Sequence, residues 1–299
     1  MRIVGSIHKV DLTNRIVGIK IYKQIKYLYF QNALMQLFKR YLYESIYLDV
    51  EIDNCKSQIK NNLKVFRVKV VHQVFATTTY NKITYFNKNN LDLALSKFLL
   101  NLDNIMILDL EMTMPNYGYY GKEFAAEIIQ AGFLLLDSKG NEITRYSQYI
   151  YPTISSYLNK RTLDFLKITR SDFKKNAISY FDFYNYFKQI VQTYHPTIII
   201  YGKNDSIALE NSYKYNKVKS LSKNYKYVNL SKLIKNYYNL KCDIGLFKLY
   251  SIYYKVNDSQ THDAFGDSYV TLKVFEAFKD DIQKKTDYYY KIREEFEPN

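Results

Sequence analysis

Two hydrophobic rhythms run along the chain, and the change between them divides it. In the first eighty residues apolar positions recur at every second place. "RIVGSIHK" (2–9) is followed by the polar turn "DLTN", and then by "RIVGIKIYKQIKYLYF" (15–30), with Ile19, Ile21, Ile25, Tyr27 and Tyr29 evenly spaced. Strand side chains alternate between faces, so this spacing predicts strands, and the second run is long enough for two. "QNALMQLFKRYLY" (31–43) switches to helical spacing at Leu34, Leu37 and Tyr41. "SIYLDVEI" (45–52) alternates again, and "KVFRVKVVHQVF" (64–75) predicts a last strand. The order β-β-β-α-β-β is that of an OB-like barrel, a small scaffold that often binds single-stranded nucleic acid.

The pattern then changes. Residues 78–90 are polar and read as a linker, and "NLDLALSKFLLN" (90–101) as a helix. Beyond it, "IMILDLEM" (105–112), "AAEIIQAGFLLLD" (125–137) and "EITRYSQYIYP" (142–152) predict three successive strands, the last ended by Pro152. Helical spacing fills 160–194, and "TIIIYG" (197–202) is an apolar strand followed by a helix from about 205. "YKYVNL" (225–230) is a fifth strand, before helices at about 243–255 and 262–279. Such an order predicts an α/β domain, a mixed sheet with helices on both faces. The expected organisation is therefore an OB-like domain at 1–80, a linker and helix at 81–103, an α/β domain at 104–280 and a charged, solvated tail at 281–299.

Charge adds a partner to this picture. The net charge is +14 with a pI near 9.3, and residues 1–80 hold thirteen Lys and Arg against five Asp and Glu. Such a balance favours polyanions, because each phosphate neutralised releases a counterion. Lys23 and Lys26 alternate with Tyr22, Tyr27 and Tyr29, a mixture suited to tracking phosphates and stacking on bases, with Tyr27 and Tyr29 the candidate contacts. An AT-rich coding sequence would also enrich Lys, Asn, Ile, Tyr and Phe. Cys55 and Cys242 lie too far apart in sequence to suggest a disulfide framework or a CxxC site. No secretory signal and no run of roughly 18 apolar residues is present, so a cytoplasmic protein without a membrane partner is expected.

The chemistry begins in "ILDLEMTM" (107–114), where an apolar strand carries Asp109 and Glu111 two positions apart, and so on one face. In "IIIYGKNDSIAL" (198–209), Asp205 follows a strand and a glycine turn at the start of a helix, where an acidic residue is otherwise read as an N-cap. "THDAFGDSYVTLKVF" (261–275) brings His262 and Asp267 to another helix start, with Asp263 between them as an alternative cap. Four carboxylates and one imidazole thus come from three element ends. Carboxylates without cysteine suit hard cations such as Mg²⁺ or Mn²⁺, and two such ions roughly 4 Å apart can clamp a phosphodiester displacement. An imidazole is the side chain suited to take a proton from the attacking water. His8, His72 and His195 have no partners at ligand spacing, and Glu127 on the second strand is expected only to shape the site.

"LDLEMTMP", "YGKND" and "HDAFGD" together resemble the three motifs of the DEDDh (DnaQ-like) 3′–5′ exonucleases. The stretch 109–137 is similar to the bacterial sporulation-inhibitor-like branch of that family, and "NKRTLDFLKITRSDF" (159–173) to its middle segment. The resemblance spans about 104–280. It implies a ribonuclease-H-like fold and hydrolysis of single-stranded RNA or DNA from the 3′ end to 5′-mononucleotides. Asp109 would then bridge two Mg²⁺ or Mn²⁺ ions, Glu111 and Asp267 would complete the inner site, Asp205 would hold the second ion and His262 would be the general base. It also implies that the backbone at Met112 and Thr113 grips the terminal nucleotide, although "MTMP" here departs from the "TTG" of many members. The alternatives are a proofreading DNA exonuclease working with a polymerase, and an inactive scaffold binding nucleic acid or protein.

Overall fold

The structure, a computed structural model, describes all residues except 122–123, 156, 257–261, 285, 287 and 297–299, and the side chains of 54–56. Lys122, Glu123, Thr261, the last three residues and the side chain of Cys55, all touched on above, therefore lie outside the described residues. Two compact units are present. The first comprises Met1–Phe98, Asn236–Cys242 and Asp281–Asn299, and the second Leu99–Lys235 and Asp243–Asp280.

In the first unit, β1 (Arg2–Asp11), β2 (Ile16–Ile21), β3 (Gln24–Tyr29), β4 (Tyr47–Lys60) and β5 (Leu63–Thr77) form a closed barrel. β1 lies between β2 and β4, and closure comes from β3 pairing in parallel with β5 at Tyr27–Val65, Leu28–Phe66 and Tyr29–Arg67. The alternation seen in the sequence fills the interior with Ile7, Val17, Ile19, Leu28, Leu48, Val68 and Val74, while α1 (Asn32–Phe38) adds Leu34, Met35 and Phe38. Asn61 and Asn62, both at positive φ, form the two-residue turn between β4 and β5, a role that asparagine tolerates well.

Two segments differ from expectation. The polar stretch 78–90 is not a simple linker: β6 (Lys82–Asn87) pairs antiparallel with β5, then α2 (Lys88–Leu100) begins. Its outer residues Lys82–Tyr85 are exposed, which hid the strand, but Phe86 packs on the barrel core and meets Phe38 edge-on at 4.9 Å. The segment 281–299, expected as a solvated tail, clusters with the first unit. Its helix, Tyr289–Phe296, buries Tyr289, Ile292 and Arg293. The Arg293 guanidinium donates to the Lys69 carbonyl, and Tyr290 donates to Glu51 at 2.6 Å.

The second unit is built on a six-stranded sheet. β7 (Ile105–Met112) lies between antiparallel β8 (Ile128–Leu136) and parallel β11 (Thr197–Ile200). Beyond them stand β9 (Glu142–Ile150) and the two-residue β10 (Ala177–Ile178) on one side, and β12 (Lys226–Asn229) on the other. Every residue of β8 is buried, as expected of a strand covered on both faces. On one face Met106, Leu108 and Leu110 join a core with α5 (Tyr180–Tyr194) and α6 (Asn204–Tyr215), which contribute Phe183, Phe187, Leu209 and Tyr213. Asp109 and Glu111 occupy the alternate positions of β7. Between β9 and α5 the predicted helical stretch resolves into α3 (Lys160–Leu166), α4 (Arg170–Asn176) and β10. α7 (Leu230–Tyr238), α8 (Leu246–Tyr254) and α9 (Ala264–Ile282) complete the helices of this half of the chain. Among the described residues, no helix is long and apolar enough to cross a membrane.

Candidate active site

β11 partners β7 only as far as Ile107, so the last turn of β7 stands clear of it. The N–H of Leu110 instead donates to Asp205 Oδ1 at 3.0 Å. Asp205 is therefore not the cap of α6: Lys203 holds that position, without a side-chain bond, and Asp205 is the second residue of the helix, bonded to β7. The sequence reading of Asp263 as a cap is what the structure has. Asp263 Oδ2 accepts from Gly266 N–H at 2.8 Å, three residues into the helix.

α9 is set against β8 by two residues that its own motif does not contain. Gln130 donates to Asp263 Oδ1 at 2.6 Å and accepts from Ala264 N–H at 3.3 Å. Gly132, paired with Asp109 across the β7–β8 ladder, leaves no room for a side chain. A Cβ there would lie 2.3 Å from both the carbonyl carbon of Ala264 and the nitrogen of Phe265. That close approach places the first turn of α9 beside Asp109 and Glu111. His262, just before the helix, takes a left-handed backbone conformation (φ 54°), unusual for a residue with a side chain. Its ring packs on Phe165 of α3, with centroids 4.0 Å apart and planes tilted by 32°.

The outcome is one cleft of about 480 Å³, lined by Asp109, Glu111, Asp205, His262 and Asp267 together with Met112–Pro115, Phe165, Tyr201 and Asn204. Ligand atoms of Glu111, His262 and Asp267 all lie within 4.8 Å of one another, a group that could hold a cation. The electrostatics point the same way. Burial, then Asp205, Glu111 and Asp267, push the Asp109 carboxyl well above its ordinary value. Burial and Asp267 push Glu111 up to about 8. Burial pushes Asp205 up to about 6, against the lowering effect of the Leu110 N–H. Carboxylates this close and this dry hold protons unless a cation replaces them. All the donors are hard oxygens apart from one imidazole, so the residues fit Mg²⁺ or Mn²⁺.

The structure separates the remaining candidates. The Thr113 N–H donates to the Glu127 carbonyl at 2.9 Å, and the Met114 N–H to Thr162 Oγ1 at 3.0 Å. The backbone N–H of Thr113 is thus already used within the fold, while Met112 and Thr113 both line the cleft. Glu127 is buried and accepts from the N–H groups of Thr153, Ile154 and Ser155 at 2.5–2.8 Å, so it braces the turn after β9. The middle segment has two tasks: Asn159 and Thr162 tie down Met114, and Phe165 supports His262. Gln130, Gly132 and Phe165 escaped the sequence reading because neither an amide, a glycine nor an apolar residue signals chemistry by itself. In the first unit, a separate cleft of about 870 Å³ is lined by Tyr22, Lys23, Lys26, Tyr27, Lys64 and Phe66, among others. Tyr29 is not among its lining residues; Lys60 lies 3.3 Å over its ring. His8 is exposed, His195 ends α5, and His72 belongs to the first unit.

Residues 106–275, more than half of the chain, match the family described as Exonuclease. The chain belongs to this exonuclease family. A probable 3′–5′ exonuclease, KapD of Bacillus subtilis (strain 168), is 28% identical over 185 residues, which are 62% of this chain and 88% of KapD. Two solved structures share the fold. One is a full-length 3′-exonuclease (TM-score 0.52, 18% identity, covering 60% of this chain and 84% of that one). The other is a 3′-exonuclease that recognises the 3′ end of a histone mRNA stem-loop (TM-score 0.50, 20% identity, 60% and 83%). The second unit of this exonuclease therefore has the ribonuclease-H-like fold. The resemblance to DEDDh enzymes of the sporulation-inhibitor-like branch holds, and the protein is a hydrolytic 3′–5′ exonuclease acting on nucleic acid.

Proposed function

We propose that the protein removes 5′-mononucleotides one at a time from the 3′ end of single-stranded RNA or DNA, using two divalent cations, Mg²⁺ or Mn²⁺, and His262 as general base. The observation that carries this reading is the convergence of Asp109, Glu111, Asp205, Asp267 and His262, from three element ends, on one cleft. Asp109, on the central strand, would touch both ions; Glu111 and Asp267 would complete the inner one, and Asp205 would serve the second. Bound ions of this kind supply charge neutralisation at the phosphate and make bound water more acidic. His262, held by Phe165 and by its left-handed backbone, takes the proton of the attacking water. The water oxygen bonds to phosphorus as the bond to the preceding O3′ breaks; the terminal nucleotide leaves as a 5′-monophosphate, and the O3′ takes up a proton from solvent, leaving a strand one nucleotide shorter. A His262→Ala variant should lose roughly 10²- to 10⁴-fold in turnover, the usual contribution of a general base, while Mn²⁺ still raises its melting temperature. Turnover within a few-fold of the parent would remove His262 from that role.

The first unit is read as an OB fold that binds the strand. Its order, with the helix between β3 and β4 and closure through β3 and β5, supports that reading. So does its cleft, where Lys26 lies 4.7 Å and Lys64 5.8 Å over the Phe66 ring, offering cations and an aromatic face together.

A further inference from the structure

Between β7 and β8 the chain makes an excursion that carries Tyr117, Tyr119, Tyr120 and Phe124 within eight residues. Tyr117 is 67% exposed and Tyr120 96%, so both leave most of their surface to solvent. The base of the excursion is nonetheless fixed. Asn159 Nδ2 donates to the Met114 carbonyl at 2.5 Å, Thr162 accepts from Met114, and the Arg161 guanidinium reaches the Pro115 carbonyl at 3.4 Å while lying 5.6 Å over the Tyr117 ring. Phe124 lines the cleft that holds Glu111 and His262, and Tyr119 meets it edge-on at 6.0 Å. Aromatic rings thus flank the catalytic cleft, Phe124 and Tyr119 at its lip and Tyr117 against Arg161 of α3, with exposed Tyr120 in the same short excursion.

Exposed rings beside a site that cuts a single strand have one evident chemical use. Every base has a face to stack, so a row of aromatics grips a strand whatever its sequence, and an arginine among them can meet a phosphate or stack in turn. We propose that Tyr117 and Tyr120, with Arg161, form a rim that stacks on the bases leading to the 3′ end and so positions the strand for successive cuts. This rests on the exonuclease reading above. The rim is a positioning device, since neither tyrosine lines the catalytic cleft. Its strength should grow with strand length until the rim is covered, and it requires the rings but not their hydroxyls.

The test uses the full chain with Mn²⁺, as the parent, as Tyr117→Ala/Tyr120→Ala and as Tyr117→Phe/Tyr120→Phe. The substrates are a ten-nucleotide single strand and the p-nitrophenyl ester of thymidine 5′-monophosphate, which is too short to reach the rim. The alanine variant should raise KM for the strand by roughly five- to a hundredfold per stacked base, with kcat and the ester reaction within about twofold of the parent. The phenylalanine variant should keep the parent's KM. An active parent whose alanine variant has an unmoved KM, or loses as much on the ester as on the strand, overturns the rim alone. A parent inert toward both substrates would overturn the exonuclease reading and the rim with it.

Discussion

Glu111 and its neighbours stand where burial makes negative charge unfavourable, and this has a measurable consequence. Glu111 shifts from 4.5 to about 8 and Asp205 from 3.8 to about 6, both upward. A group whose folded value is raised adds stability that is complete below its unfolded value and is lost as pH climbs through the folded one. The metal-free protein should therefore lose thermal stability from about pH 4 to pH 8, and Mg²⁺ or Mn²⁺ should restore most at the upper end. Glu111→Gln removes a titrating group, so its metal-free melting temperature should depend less on pH and exceed the parent's at pH 8. Melting curves in EDTA across that range check this, and a parent whose stability rises steadily with pH would contradict it. At this scale the sequence was most legible. Charged side chains on an apolar strand and at helix starts stand out, and Asp109, Glu111, Asp205, His262 and Asp267 do share a cleft. The backbone bonds were not legible. Nothing in "MTMP" announces that the Thr113 amide is already committed to Glu127.

Elements place these side chains, and β8 approaches the start of α9 with no room for a side chain at Gly132. With Ala264 and Phe265 backbone 2.3 Å from a Cβ at position 132, a Gly132→Ala substitution must displace backbone rather than a flexible side chain. Overpacking of this kind costs about 1–3 kcal/mol, and it moves His262 and Asp267 away from Asp109. The variant should melt several degrees lower and lose at least about tenfold in turnover, since small misplacements of catalytic groups are expensive. Parental turnover would mean that α9 reaches its position by another route. The helices and strands were readable from their periodicity wherever one face is buried. β6 was not, because four of its six residues face solvent. Similarly, a row of charges in the last twenty residues concealed a helix whose Ile292 and Arg293 are buried.

On the scale of the whole molecule, the C-terminal residues belong with the N-terminal barrel. Asp281 accepts from Tyr238 at 2.8 Å and from the Tyr288 N–H at 2.7 Å, and Lys88 lies between the rings of Tyr237 and Tyr289 at 4.5 and 4.6 Å. Removing the first 88 residues would take Lys88 from the two tyrosine rings, Glu51 from Tyr290 and the Lys69 carbonyl from Arg293, so a truncated chain cannot report on the barrel alone. Charge reversal is the cleaner probe. Lys26→Glu/Lys64→Glu should weaken single-strand binding in Ca²⁺ and flatten the slope of log affinity against log salt by about 0.7 for each phosphate no longer neutralised. Unchanged affinity and slope would make the barrel a module for something other than nucleic acid. Arg293→Ala should lower the melting temperature, because it leaves the Lys69 carbonyl without a buried partner, a loss of about 1–3 kcal/mol. The most direct test of the central claim follows a 5′-labelled single strand incubated with the full chain and Mn²⁺, beside Asp109→Asn and Asp205→Asn. The label should pass through a ladder shortened by one nucleotide at a time from the 3′ end, with release of 5′-mononucleotides. EDTA should stop the reaction, and each variant should slow it by at least about a thousandfold. Near-parental shortening by either variant, or cleavage that persists in EDTA, would contradict the assignment of these carboxylates to metal-dependent hydrolysis.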